Sequence, residues 1–178
     1  MNSKISEKPI FLCGMMAAGK SAIGKTLAEI LDVPFADLDD LIETSEKMTI
    51  PEIFDQKGEQ EFRKIERRLL KKHAPGAKGV LALGGGSLQN REIVDVLKDS
   101  GWLIFINPPR SVLLERLKNS EKRPMLNDHK NELQERINRL FKERLPLYEK
   151  AHFTIVTGNR PKTEAAEQII KKLESYES

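Results

Sequence analysis

The sequence predicts an α/β architecture of three layers, a parallel sheet of about five strands with helices on both faces. Three observations predict it. Short apolar runs alternate with amphipathic stretches along the whole chain, the order that builds βαβ units. The run Leu103, Ile104, Phe105, Ile106 is apolar throughout, as suits a strand buried on both faces. The apolar run 9–13 leads directly into GMMAAGKS at residues 14–21, with a helical stretch after it. That segment has the spacing G-x-x-x-x-G-K-[ST], a phosphate-binding loop between a strand and a helix.

The elements follow in order. The first strand is Ile10–Cys13, and the first helix runs from about Lys20 to Leu31. A second short strand is read at 34–36, followed by helices from the forties to the seventies, with one stretch at 41–46 and another opening near Gly58. Thr49 and Glu52 have the spacing of a capping box, and Pro51 stands in the first turn, so a helix starts there. Next come a strand at 79–83, a helix near 91–98, a strand at 102–106 and a helix after Pro108. A long helix around 131–145, a strand at Phe153–Val156 and a terminal helix from Pro161 complete the chain. Residues 119–130 are nearly all polar and read as a long loop between two helices, the kind that often serves as a lid.

Composition sets limits on the class. The chain has 178 residues, 39% hydrophobic and 32% charged, the make-up of a soluble globular protein, and is expected to form a single domain over 1–178. Thirty basic residues against 27 acidic ones leave a net charge of +3, too balanced for a general nucleic-acid-binding surface. Lys4 and Lys8 before the apolar run resemble the start of a signal peptide, but Gly14 interrupts that run and cleavage would destroy the phosphate loop. No segment approaches the roughly 20 apolar residues of a membrane span. The one cysteine, Cys13, can form no internal disulfide. A reducing cytoplasm, with no nucleic-acid or membrane partner, is the expectation.

The loop carries the first chemistry. Its backbone N–H groups and the positive end of the following helix would face phosphates. Lys20 would reach the β- and γ-phosphates, and Ser21 would ligate Mg²⁺. Asp37, Asp39 and Asp40 follow the second apolar run. On a strand, Asp37 and Asp39 share one face, at the carboxyl edge where ligands bind. Helix capping is an equal reading for those two and the preferred one for Asp40. Arg63, in the charged stretch 58–66, reads by default as half of a surface ion pair worth under about 1 kcal/mol. The glycines Gly84, Gly85 and Gly86 at a strand end let a ligand approach the backbone. His73, His129 and His152 lack metal-ligand spacing, and Trp102 reads as core. Met15 and Met16 read as packing residues, and Phe54 and Phe62 as helix packing.

The combined motifs resemble the shikimate kinase family. They are GMMAAGKS, then DLD at 37–39, GEQEFRKIE at 58–66, LGGGS at 83–87, RPML at 123–126 and ERLPLY at 143–148. The resemblance implies the P-loop kinase fold, with a substrate-binding segment at about 40–72 and a lid at about 116–130. It implies ATP and shikimate as substrates, Mg²⁺ as cofactor, a monomeric enzyme, and a place in aromatic amino-acid biosynthesis through chorismate. ATP would lie against Gly14, Met15, Met16, Ala17, Ala18, Gly19, Lys20, Ser21 and Ala22, with Arg116 and Arg160 flanking the adenine and Arg123 closing over the transferring phosphate. Ser21 and Asp37 would serve the metal. Asp39 would orient or deprotonate the attacking hydroxyl. Arg63, Arg144 and the backbone of Gly84, Gly85 and Gly86 would hold the substrate carboxylate, and Phe54 and Phe62 would line the substrate pocket. Lys20, Asp39 and Arg123 would be the catalytic set.

These roles suit the chemistry. Phosphoryl transfer needs positioning and charge neutralisation, and an arginine fork suits a carboxylate better than lysine does. Ala17 and Ala22 depart from the glycine and threonine frequent in the family, which bears on nucleotide affinity and not on reaction type. Two rival readings remain at this level. One is another small kinase, for gluconate or a nucleotide. The other is a nucleotide-sensing module without catalysis.

Overall fold

The computed structural model describes residues 7–119 and 130–177. Five strands, β1 (Ile10–Cys13), β2 (Phe35–Asp37), β3 (Val80–Ala82), β4 (Trp102–Asn107) and β5 (Phe153–Val156), form one sheet in the order β2-β3-β1-β4-β5. All four pairings are parallel. The central position of β1 explains its composition, since all four of its residues are buried and it has no solvent face to supply with polar side chains. The chain leaves β1 toward β2 and β3, then crosses to β4 on the other side. The carboxyl end of β1 is therefore the switch point at which such sheets bind ligands. Register aligns that edge, with Leu12 and Asp37 both level with Ala82.

Among the described residues, seven α-helices cover the sheet: α1 (Lys20–Leu31), α2 (Leu38–Glu46), α3 (Ile50–His73), α4 (Arg91–Ser100), α5 (Arg110–Lys118), α6 (Lys130–Tyr148) and α7 (Lys162–Glu177). The predicted capping box is present, with Glu52 accepting from the Thr49 N–H at 2.7 Å and Thr49 Oγ1 from the Glu52 N–H at 3.4 Å. Helix α1 lies so close to β2 that a Cβ on Gly24 would sit 2.6 Å from the Phe35 ring. The core is continuous from α3 through both sheet faces to α7.

Several boundaries differ from the sequence expectation. Helix α2 starts at Leu38, because Asp37 rather than Asp40 is its N-cap and accepts from the Asp39 N–H at 3.0 Å. Helix α6 runs on to Tyr148 through Pro146, which forfeits one backbone bond near the helix end. Residues Arg116 to Lys118, the start of the lid that the resemblance implies, form the last turn of helix α5. Most of that segment, Arg123 and His129 included, lies outside the described residues.

Within α3 the backbone breaks at Gly58, with φ 78° and ψ 170°, a region open only to glycine. The break separates two helical arms. Glu46 at the end of α2 ties them together, accepting from Lys57 at 2.9 Å on one arm and from Arg68 at 2.5 Å on the other. Hydrogen bonding to Lys57, with the Arg68 contact added, holds the Glu46 carboxyl below its ordinary range.

Candidate active site

The phosphate loop is shaped by its own glycines. Gly14 has φ 145°, and a Cβ there would lie 2.4 Å from the Ile106 carbonyl oxygen, so β4 leaves no room for a side chain. Gly19 caps α1 in the left-handed region and supplies no side-chain acceptor, which leaves the first N–H groups of the helix for a ligand. Ala17 is also left-handed, at φ 61°, a conformation that costs a non-glycine residue about 1–2 kcal/mol. Met15 and Ala18 are buried beneath the loop. Lys20 Nζ donates to the carbonyls of Gly14 at 3.0 Å and Met15 at 2.8 Å, so its ammonium is held over the mouth of the loop. Cys13, just before, is enclosed, and burial pushes its thiol up to about 12; it takes no part in polar chemistry.

The end of β2 adds the carboxylates. The Ser21 hydroxyl donates to the Asp37 carboxylate, joining the first turn of α1 to the N-terminus of α2. Asp39 is in the first turn of α2, not beside Asp37 on a strand. It still faces the glycine loop, since a Cβ on Gly84 would lie 3.8 Å from its Oδ1. Ser21 and Asp37 therefore present hard oxygen donors side by side, the kind a magnesium ion takes. The hydroxyl can keep its bond to Asp37 and offer a lone pair outward. Among the described residues no group of three or more His, Cys, Asp or Glu side chains forms a metal cluster, so such an ion would complete its shell with phosphate oxygens and water.

Beyond β3, two arginines close on the triple glycine. A Cβ on Gly86 would fall 2.6 Å from the Arg63 guanidinium carbon, and one on Gly85 would fall 3.3 Å from Arg144 Nη1. The glycines thus serve the close approach of cationic side chains as well as of a ligand. Arg63 is not the surface pair expected from sequence. It bonds at 2.9 Å to Glu66, which is 3% exposed, and Glu66 in turn accepts from Ser87 Oγ at 2.6 Å. Arg144 is 6% exposed and has no carboxylate partner among the described residues. Phe62 is buried, and Phe54, 4.6 Å away between ring centroids, is partly exposed.

A cavity of about 380 Å³ opens on the other side of the loop, lined by Ala17, Gly19, Ala22, Arg116, Arg160 and the end of β5 at Val156, Thr157 and Gly158. Arg116 spans it, donating to the Ala17 carbonyl at 3.1 Å and the Gly158 carbonyl at 3.2 Å. Arg160 pairs with Glu164 at 2.7 Å at the rim. Sequence reasoning missed Val156 to Gly158 here, although their place at the carboxyl end of a parallel strand was the signal. It also gave no role to Glu66 or Ser87, both inside the motifs that carried the resemblance.

Residues 16–174 match the family model described as shikimate kinase. The chain belongs to the shikimate kinase family. Curated relatives agree: the shikimate kinase of Aquifex aeolicus is 40% identical over 93% of this chain and 95% of its own length. That of Thermodesulfovibrio yellowstonii is 41% identical over 94% and 95%. Among solved structures, the shikimate kinase of Acinetobacter baumannii in complex with shikimate superposes with a TM-score of 0.88, 34% identity and 97% coverage of both chains. The Bacteroides thetaiotaomicron enzyme gives 0.87 at 31% identity, over 94% of this chain and 98% of that one. A Janibacter sugar kinase at 18% identity and a TM-score of 0.61 shares the fold alone. As a shikimate kinase family member the chain is an ATP-using phosphotransferase with the P-loop fold. Among its described residues, no helix is long and apolar enough to cross a membrane.

Proposed function

We propose that the protein transfers the γ-phosphoryl group of ATP to shikimate, releasing ADP and shikimate 3-phosphate, and so serves aromatic amino-acid biosynthesis through chorismate. One observation carries the reading: Arg144 is a buried guanidinium beside the triple glycine without a carboxylate partner among the described residues. A buried cation is costly unless an anion meets it, and a substrate carboxylate is that anion.

The residues then divide the work. The adenine enters the cavity between Ala22, Val156 and Arg116, and the phosphates follow the loop to Lys20. Arg144 and Arg63 grip the carboxylate, which leaves a ring hydroxyl toward Asp39. The hydroxyl oxygen attacks the γ-phosphorus as the bond to the β–γ bridging oxygen breaks. Asp39 orients that hydroxyl and takes its proton late, as befits a weak base. Lys20 neutralises charge on the β- and γ-oxygens as it shifts to ADP. Mg²⁺, held by Ser21 and, through water, by Asp37, would supply further charge neutralisation when bound. Arg123 is assigned to the lid by resemblance. In this reading the enzyme is one domain acting as a monomer in the cytoplasm.

A coupled assay of ADP release tests this. ADP should appear with ATP, Mg²⁺ and shikimate together and should fall to background when shikimate is left out. Turnover with gluconate or a nucleoside monophosphate and none with shikimate would overturn the substrate. ADP release in no mixture would return the chain to a binding module.

A further inference from the structure

Tyr148 closes helix α6 one turn after Arg144 and is 1% exposed. Its ring stacks on Phe105 of β4, with centroids 4.9 Å apart, so the phenol has a fixed direction. The hydroxyl donates to the Gly85 carbonyl oxygen and lies 3.7 Å from the Met15 sulfur. Burial raises the phenol's pKa, and the Arg144 guanidinium beside it works in the opposite direction. The phenol therefore stays protonated and keeps donating. Two parts of the site meet on one oxygen, the glycine loop and the residue after the first glycine of the phosphate loop. The second arginine packs on Gly85 as well, with Arg144 Nη1 3.3 Å from where a Gly85 Cβ would lie.

We infer that Tyr148 is a positioning residue, whose buried hydroxyl orients the Gly85–Gly86 peptide and Arg144 toward the acceptor substrate. The reason is peptide planarity. In a trans peptide the Gly85 carbonyl and the Gly86 N–H point in opposite directions. Fixing the carbonyl on the Tyr148 side turns the Gly86 N–H to the other side of the peptide, and Arg63 packs against Gly86 itself. That N–H donates to no backbone carbonyl among the described residues. The Ser87 N–H donates to the Gly84 carbonyl at 3.2 Å and closes a turn around this peptide. Glycine has no Cβ to hold the peptide's tilt within that turn, and the Tyr148 hydroxyl fixes the carbonyl from outside it.

The inference rests on the proposed shikimate site, and Tyr148→Phe tests it because the ring and its stacking remain. Shikimate dissociation should weaken by about tenfold, and turnover should fall with it, while the ATP dissociation constant stays within about twofold. A purely structural role would lower the melting temperature and leave both constants of the folded protein unchanged; that result overturns the inference. Equal weakening of both ligands also overturns it. If the variant does not fold, the wild type still decides. Its Gly86 amide resonance should shift on adding shikimate alone, and an unmoved resonance sinks the idea. Wild-type protein that neither binds nor phosphorylates shikimate would refute the proposed function itself. An active wild type with an indistinguishable Tyr148→Phe variant would refute this inference alone.

Discussion

Arg63 and Glu66, one helical turn apart on α3, form an ion pair of 2.9 Å in which the carboxylate is almost wholly enclosed. The pair is also part of the glycine loop, because Ser87 bonds to the other oxygen of Glu66. Arg63 therefore reaches the proposed substrate site with its charge already matched and its direction fixed. Arg144 brings a charge that no carboxylate among the described residues matches. The two arginines are not equivalent, and deleting them should have different consequences.

Arg63→Ala leaves Glu66 buried without its cation, which should cost about 3–5 kcal/mol of stability in addition to any loss of shikimate affinity. Adding Glu66→Gln should recover much of the stability and none of the affinity. Urea unfolding and calorimetric titration on the single and double variants read the two effects separately. An Arg63→Ala protein as stable as the wild type would show the pair to be energetically idle.

Gly86→Ala probes the same site without removing any charge. The backbone at Gly86, with φ −104°, accepts alanine, but the new Cβ would lie 2.6 Å from the Arg63 guanidinium, which Glu66 holds in place. Arg63 must move, so the shikimate KM should rise by at least about tenfold while the ATP KM barely changes. Unchanged kinetics would mean that Arg63 is free to swing away and that its position is not critical.

The sheet was legible because its strands are short, mostly apolar runs, broken by a polar residue only at Asp37, Asn107 and Thr154, and β1 and β5 fall where the sequence puts them. The phosphate loop was legible because its spacing has a single mechanical meaning. The carboxylates were harder. Asp37, Asp39 and Asp40 all suit a cap, and only the backbone decides that Asp37 takes it. The burial of Glu66 was not legible at all. Its neighbours Glu59, Glu61, Lys64 and Arg67 give it the look of a solvated face, and the approach of Gly84 and Ser87 from the β3 loop helps enclose it. Long-range contact of this kind leaves no local pattern.

Lys20→Ala should reduce turnover by at least about a hundredfold, since no other described cation is held at the mouth of the loop by two of its carbonyls. The fold should survive, because Lys20 is only part-buried and the carbonyls it leaves can bond to water. Circular dichroism and the ADP-release assay check both halves. Near-normal turnover in a folded variant would remove Lys20 from the phosphate path.

The last prediction concerns acid sensitivity far from the reacting groups. His152 precedes β5, and its Nδ1 accepts from the Leu103 N–H at 3.0 Å while its own N–H donates to the Leu103 carbonyl at 2.8 Å. Tyr176 near the end of α7 donates to the His152 carbonyl at 3.3 Å. Nδ1 must stay unprotonated to accept, so the neutral ring carries its proton on Nε2. Burial, then Lys98 and Lys8, hold the imidazole below its ordinary value of 6.5. A group whose folded pKa is depressed makes the unfolded chain the better proton binder, so stability rises with pH across the gap. The contribution of His152 is complete above 6.5 and is lost as pH falls toward its folded value. Glu46 and Glu52, whose carboxyls lie below 4.5, lose their contributions only in stronger acid. Urea midpoints from about pH 8 to about pH 5 should therefore fall in the wild type with His152 as a main cause. His152→Asn places an amide oxygen near the position of Nδ1 and keeps the acceptor without the titration. Its midpoint should hold steadier over that range, and parallel curves for the two proteins would clear His152 of any part in the acid response.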